Sequence, residues 1–123
     1  MAEDRKGATD VRRLTDALRH SFAGLRAALT EGAFQLELLG AALAIPLGVY
    51  LGATGVERAL LVGSVLLILL VELLNSALEA TVDRISLEQH PLAKRAKDIG
   101  SAAVALSLVN VAVVWLLVII DRL

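Results

Sequence analysis

Cysteine is absent from the chain, and only 2 prolines and 3% aromatic residues are present. Without cysteine, neither a disulfide framework nor a thiolate metal site can form. The sequence also lacks the phosphate-binding loop G-x-x-x-x-G-K-[S/T], and no G-x-G-x-x-G precedes a kinase catalytic-loop motif. Any nucleotide must therefore be held without a conventional nucleotide-binding fold. The net charge of −1 excludes nothing by itself.

What the chain has in abundance is apolar sequence, at 57% of its 123 residues. This is too much for a soluble domain of this size, because little polar surface remains to face water. Leu38–Val56 and Ile99–Ile120 contain no charged residue, and a third apolar run begins near Ala59. Each run approaches the length of about 20 residues that a spanning helix needs. The sequence predicts an all-α integral membrane protein with three transmembrane helices.

The segment ahead of these runs is polar and charged, so no cleavable signal peptide is expected. We expect residues 1–9 to be disordered, 10–31 to form an amphipathic interfacial helix and 32–123 to form the transmembrane domain. The apolar stripe of that helix comprises Val11, Leu14, Leu18, Phe22, Leu25 and Leu29. A basic helix with a narrow apolar stripe is typical of a membrane surface. Packing on the protein's own cytoplasmic end is the alternative.

The distribution of basic residues predicts the orientation. Six of the 12 lysines and arginines precede Glu31, and four more lie in segment 84–98. By the positive-inside rule, the N-terminus and segment 84–98 are cytoplasmic and the C-terminus is outside.

A stripe of polar residues lies within the apolar run that begins near Ala59. Glu72, Asn75, Ser76, Glu79 and Asp83 share one helical face. Because a charged side chain at the centre of a bilayer costs on the order of 2.5–3.5 kcal/mol, these carboxylates need a cation, a water-filled cavity or a neighbouring helix. Glu72 comes roughly 20 Å of helix after Ala59, which predicts a position near the cytoplasmic headgroup boundary.

Further polar residues are expected at the same boundary. Glu31 precedes the first span, and Lys94, Lys97 and Asp98 open the third helix. Carboxylate oxygens suit Mg²⁺, which usually binds one or two carboxylates together with substrate phosphates. A carboxylate at headgroup depth could accept a proton from a lipid hydroxyl. These residue types predict phosphoryl transfer from a Mg-nucleotide to a lipid alcohol.

Three segments carry a resemblance to a known family. These are GLRAALTEGAF (24–34), VELLNSALEATVDRIS (71–86) and HPLAKRAKDIGSAAV (90–104). The pattern E-x-x-N-S-A-x-E-x-x-x-D with a downstream A-K-D resembles the prokaryotic diacylglycerol kinases, over roughly residues 12–118. The resemblance implies a homotrimeric enzyme of the bacterial inner membrane that phosphorylates diacylglycerol with Mg-ATP, giving phosphatidic acid, and it implies no nucleic-acid partner.

The resemblance also implies a role for each matching residue. Glu72 would be the base for the lipid hydroxyl, with Asn75 beside it, and Glu31 and Glu79 would hold the metal. The nucleotide contacts would be Arg12, Glu31, Glu79, Glu88, His90, Lys97 and Asp98. The lipid contacts would be Arg12, Glu72, Ser101 and Trp115.

Alternatives stay open at this point. The sister family of undecaprenol kinases shares most of these motifs, and a small cation- or proton-coupled transporter could use Glu72 as its carrier carboxylate. A non-enzymatic assembly protein could bind a partner's basic residue with the stripe. Trp115 could be an interfacial anchor and Asn110 an interhelical hydrogen bond. Glu37 could snorkel or form a wall of the site, and Asp83 could pair with Arg84 or support the chemistry.

Overall fold

The computed structural model describes the backbone of residues 2–123 and the side chains from residue 6 onward. These residues form four helices: α1 (Ala2–Ala28), α2 (Gly32–Leu51), α3 (Gly55–Ile85) and α4 (Pro91–Ile120). The predicted all-α fold is confirmed. The chain divides into two compact units, of which the first ends at Gly32 and the second is Ala33–Leu123.

Helix α1 is amphipathic, as the sequence predicts. Its apolar stripe is exposed, with Val11 at 65% and Phe22 at 78% of their full surface. Backbone N–H groups of Thr30 and Glu31 still donate to carbonyls of the last turn before Gly32 opens α2. The helix includes residues that precede position 10, the predicted start of the interfacial segment, and that boundary stays a prediction. An exposed apolar stripe on a basic helix fits a membrane surface.

Helices α2, α3 and α4 are each long and apolar enough to cross a membrane, at 20, 31 and 30 residues. The three predicted spans are confirmed. The buried core of the unit is small and consists mainly of Phe34, Ala41, Leu61, Val65 and Ile68. Most large apolar side chains on these helices point outward instead. Such a surface requires lipid or another helix around it.

The connection between α2 and α3 is a tight turn fixed by side chains. Thr54 caps α3 by accepting a hydrogen bond from the Glu57 N–H at 3.2 Å. The Arg58 guanidinium donates to the Val49 and Gly52 carbonyls, both at 3.1 Å, and so satisfies the end of α2. Gly52 is required here because any Cβ would meet Arg58. At the same end, Glu57 pairs with Arg122 from beyond α4, at 3.1 Å.

Helix α3 packs mainly along α4. Near the α2–α3 turn, the Trp115 indole N–H lies 3.3 Å from the Leu61 carbonyl and 3.2 Å from Ser64 Oγ. Gly48 of α2 packs against Leu61 and Trp115, since a Cβ at Gly48 would lie 3.2 Å from Leu61 Cβ. This contact fixes one end of the three-helix unit. The other end of the α3–α4 pair holds the polar residues.

Candidate active site

Glu72 is the last of the buried residues of α3. The buried positions of this helix are Leu61, Ser64, Val65, Ile68 and Glu72, which recur every three or four residues. Glu72 is 6% exposed and therefore lies as deep as the apolar residues that precede it. A carboxylate in a packing seam is expensive to keep, which favours a functional role over a purely structural one.

Glu37 of α2 lies near Glu72. The two carboxylates interact electrostatically, and Glu37 Oε2 is buried without a hydrogen-bond partner among the described residues. Two acids from different helices thus approach each other in a largely apolar environment. Of the two interpretations left open for Glu37, this arrangement favours a wall of the site over a snorkelling acid.

Asn75 lies one turn beyond Glu72, where α3 comes close to Gly100 of α4. Its amide Nδ2 donates to Glu79 Oε1 over 3.3 Å, while its Oδ1 is buried and makes no hydrogen bond within residues 6–123. Oδ1 faces Gly100 of α4, where any Cβ would collide with it. Gly100 therefore makes room for the Asn75 amide, whose oxygen has no hydrogen-bond partner in the described residues.

Two lysines near the start of α4 are each paired with an acid. Lys97 Nζ lies 2.6 Å from Asp83 Oδ1 of α3, and Lys94 Nζ lies 2.6 Å from Asp98 Oδ2. Asp83 thus pairs across the helix interface with Lys97, rather than with its neighbour Arg84. The Lys94–Asp98 pair is the more exposed of the two, at 78% and 63% of the side-chain surfaces.

A cavity of about 630 Å³ opens between the end of α3, the connecting segment and the start of α4. Its lining includes four residues predicted to contact the nucleotide: Glu88, His90, Lys97 and Asp98. The volume falls within the range of small-molecule sites, about 300–1,000 Å³. A second cleft of about 410 Å³ shares Glu88 and His90 but is otherwise lined mainly by apolar side chains such as Ile85 and Leu92. A polar and an apolar recess therefore meet at the same loop.

The loop that separates these recesses is fixed at both ends. Ser86 Oγ accepts a hydrogen bond from the Glu88 N–H at 3.0 Å. His90 caps α4, because its Nδ1 accepts from the Leu92 N–H at 3.1 Å. Pro91 then occupies the first turn of the helix, where its missing N–H costs nothing. His90 in this state presents its other ring nitrogen, Nε2, for a ligand.

The other predicted site residues lie elsewhere. Arg12 and Glu31 are exposed and belong to the unit that ends at Gly32. Ser101 is exposed on α4, next to Gly100. Trp115 lies at the opposite end of α4, roughly 27 Å along the helix from Lys97. The structure does not bring Trp115 to the acidic residues, and its lipid contact stays a prediction.

Glu79 provides oxygen donors of the type that Mg²⁺ prefers. Glu79 is exposed, so its carboxylate is accessible. Residues 6–123 contain no group of three or more acidic, histidine or cysteine side chains that could enclose a metal ion. Mg²⁺ needs no such enclosure when substrate phosphates complete its coordination, so the donor set fits a metal-nucleotide complex.

Sequence reasoning missed the importance of Gly100 and did not resolve Glu37 or Asp83. Gly100 could have been noticed as a lone glycine in an apolar helix, just after the A-K-D motif, where a close helix approach is one of few reasons to keep glycine. No sequence signal pairs Asp83 with Lys97 in preference to Arg84, because helical periodicity fixes a face but not the register between two helices.

Comparison with known proteins supports a single family. The sequence model of the family described as prokaryotic diacylglycerol kinase matches residues 19–119. A Pseudomonas aeruginosa protein named diacylglycerol kinase is 52% identical over 112 residues, covering 89% of this chain and 90% of that protein. Proteins of the same name from Escherichia coli K12 and Haemophilus influenzae are 43% and 45% identical, over 94% and 87% of this chain and 93% and 92% of their own lengths.

Proposed function

We propose, from the premise that this chain belongs to the prokaryotic diacylglycerol kinase family, that it transfers the terminal phosphoryl group of ATP to the free hydroxyl of diacylglycerol. The product is phosphatidic acid. The observation that carries the proposal is that a buried carboxylate, Glu72, lies on the same face of α3 as Glu79 and Asp83, which lead along the helix to a nucleotide-sized cavity about 15 Å away. The names of the relatives favour diacylglycerol over undecaprenol as the acceptor.

The reaction takes place at the cytoplasmic surface of the bacterial inner membrane. The basic residues before Glu31 and in segment 84–98 support a cytoplasmic N-terminus and an external C-terminus. This orientation puts the α3–α4 cavity on the side of the membrane that contains ATP. The large exposed apolar surface of α2, α3 and α4, together with the polar stripe, supports assembly into a homotrimer.

Glu72 accepts the proton of the lipid hydroxyl as the oxygen attacks the terminal phosphorus. Its burial in an apolar seam favours this role, because the seam excludes bulk water from the carboxylate. Asn75 orients the reacting groups through its buried amide oxygen. Transfer is direct and in line, with no phospho-enzyme, so that positioning and charge stabilisation supply most of the catalysis.

Glu31 and Glu79 hold the metal, and Lys97, Asp98, Glu88, His90 and Arg12 contact the nucleotide. Bound Mg²⁺ would neutralise charge on the ATP phosphates. Lys97 stabilises the charge that develops during transfer, and it lines the α3–α4 cavity together with Glu88, His90 and Asp98. Arg12, Ser101 and Trp115 contact the lipid.

The test is phosphate transfer from labelled Mg-ATP in mixed micelles, with diacylglycerol and undecaprenol offered separately. Wild type and Glu72→Gln are compared with Glu57→Gln, a matched acid-to-amide change in the same helix but at the Arg122 ion pair. Phosphatidic acid from wild type and Glu57→Gln, with none from Glu72→Gln, supports the acceptor and the base together.

Other outcomes separate the alternatives. Undecaprenyl phosphate as the sole product would keep the mechanism but replace the acceptor. No labelled lipid from any variant would overturn the kinase proposal, and proton- or cation-coupled transport would then be the function to test.

A further inference from the structure

The cross-helix ion pair between Asp83 and Lys97 has no role in the mechanism as stated so far. It joins the two helices that form the walls of the α3–α4 cavity, with Lys97 Nζ 2.6 Å from Asp83 Oδ1. Both side chains remain about half accessible, at 42% for Lys97 and 46% for Asp83. Ion pairs with this much exposure contribute little to stability. The pair must therefore be explained by what it positions.

Lys97 interacts with two carboxylates of α3. Asp83 is its ion-pair partner, and Glu79, one turn earlier on the same face, also acts on the ammonium electrostatically. Across residues 6–123, Glu79 makes no ion pair, and its Oε1 accepts a hydrogen bond from Asn75 instead. The carboxylate that the mechanism needs for the metal is thus kept clear of the nearby lysine.

We propose that Asp83 is a positioning residue that holds the Lys97 ammonium at the cavity wall and prevents it from pairing with Glu79. The inference rests on the proposed function, in which Glu79 binds the metal and Lys97 meets the nucleotide phosphates. An ammonium has three donors, so Lys97 can keep Asp83 and still donate to a phosphate. Without Asp83, Glu79 is the remaining carboxylate that attracts Lys97, and their pairing would occupy a metal ligand and a phosphate contact at once.

The test is Asp83→Asn, which removes the charge and keeps the size of the side chain. Binding of Mn²⁺ with a non-hydrolysable ATP analogue is followed by electron paramagnetic resonance, and phosphate transfer is followed separately. Binding should weaken by up to about fivefold, the range expected for one exposed ion pair. The KM for the metal-nucleotide should rise to match, while kcat at saturation stays within about twofold of wild type, because saturating nucleotide draws Lys97 back to its site.

Two further variants test whether Asp83 positions Lys97 or only holds α3 and α4 together. Asp83→Glu restores the carboxylate and should recover most of the binding. Glu57→Gln breaks the other ion pair between the ends of α3 and α4, at Arg122, and should leave metal-nucleotide binding unchanged. If Asp83→Asn does not fold, Asp83→Ser is measured in its place.

Unchanged binding in the Asp83 variant, or an equal loss in Glu57→Gln, would overturn the inference. Tighter binding would also overturn it, because Asp83 would then compete with phosphate for Lys97. Failure of the proposed function is a distinct result, since it requires that wild type itself makes no phosphorylated lipid.

Discussion

Substitution of Gly100 by alanine tests whether the close approach of α3 and α4 is needed for catalysis. A Cβ at this position would collide with Asn75 Oδ1 and lie 3.2 Å from Leu78 Cδ2. Both obstructing atoms are side-chain ends, so the helices can stay in place if Asn75 rotates. The change therefore acts on the amide that we place beside the catalytic base.

The magnitudes separate stability from activity. Replacing glycine with alanine inside a helix gains about 1 kcal/mol, and overpacking costs about 1–3 kcal/mol, at the low end where side chains can move. The free energy of unfolding should thus change by no more than about 1 kcal/mol. Displacement of Asn75 by a fraction of an ångström to 1 Å should lower kcat by about 10- to 100-fold.

The assay combines reversible unfolding in mixed detergent micelles with phosphate transfer to diacylglycerol. Gly63→Ala is the matched control, because Gly63 lies in α3 and nothing is within 4 Å of a Cβ there. The control should keep full activity. Wild-type kcat in Gly100→Ala would refute the role assigned to Asn75, and an equal loss in both variants would refute the argument from close approach.

Four other substitutions probe separate parts of the molecule. Glu79→Gln should weaken metal-nucleotide binding, whereas Glu72→Gln should abolish transfer and leave that binding largely intact; calorimetric titration that finds equal weakening in both would contradict the division of roles. Trp115→Phe removes the indole N–H bonded to the Leu61 carbonyl and should lower the free energy of unfolding by about 1 kcal/mol, and the proposed lipid contact predicts a higher KM for diacylglycerol. An unchanged KM would contradict that contact. Thr54→Ala removes the α3 cap and should cost about 1 kcal/mol in the same unfolding assay, with activity retained.

The sequence predicts features that depend on one helix at a time. The length of the segments without charged residues predicts the three spans. Glycines and a threonine that can cap a helix predict the break before α3. Helical periodicity also puts Glu72, Asn75 and Glu79 on one face. The sequence singles out residues such as His90 and Lys97 but not the α3–α4 cavity that they line, because the shape of that cavity depends on how the loop is capped.

Features that depend on two helices could not be predicted. The partner of Asp83, the approach of Gly100 to Asn75 and the proximity of Glu37 to Glu72 all require the register between helices. Apolar spans determine that register weakly, since many alignments of leucine and valine pack almost equally well in lipid. Polar contacts then select among them, and a single sequence does not show which contacts form.

The lining of the α3–α4 cavity comes entirely from one continuous stretch, residues 82–98. The helix ends, their caps and the loop are thus covalently linked to one another before any tertiary assembly takes place. The whole lining of the cavity can therefore be exchanged as one contiguous sequence segment. An exchange of this stretch between relatives should carry nucleotide preference with it, while acceptor preference stays with the rest of the bundle.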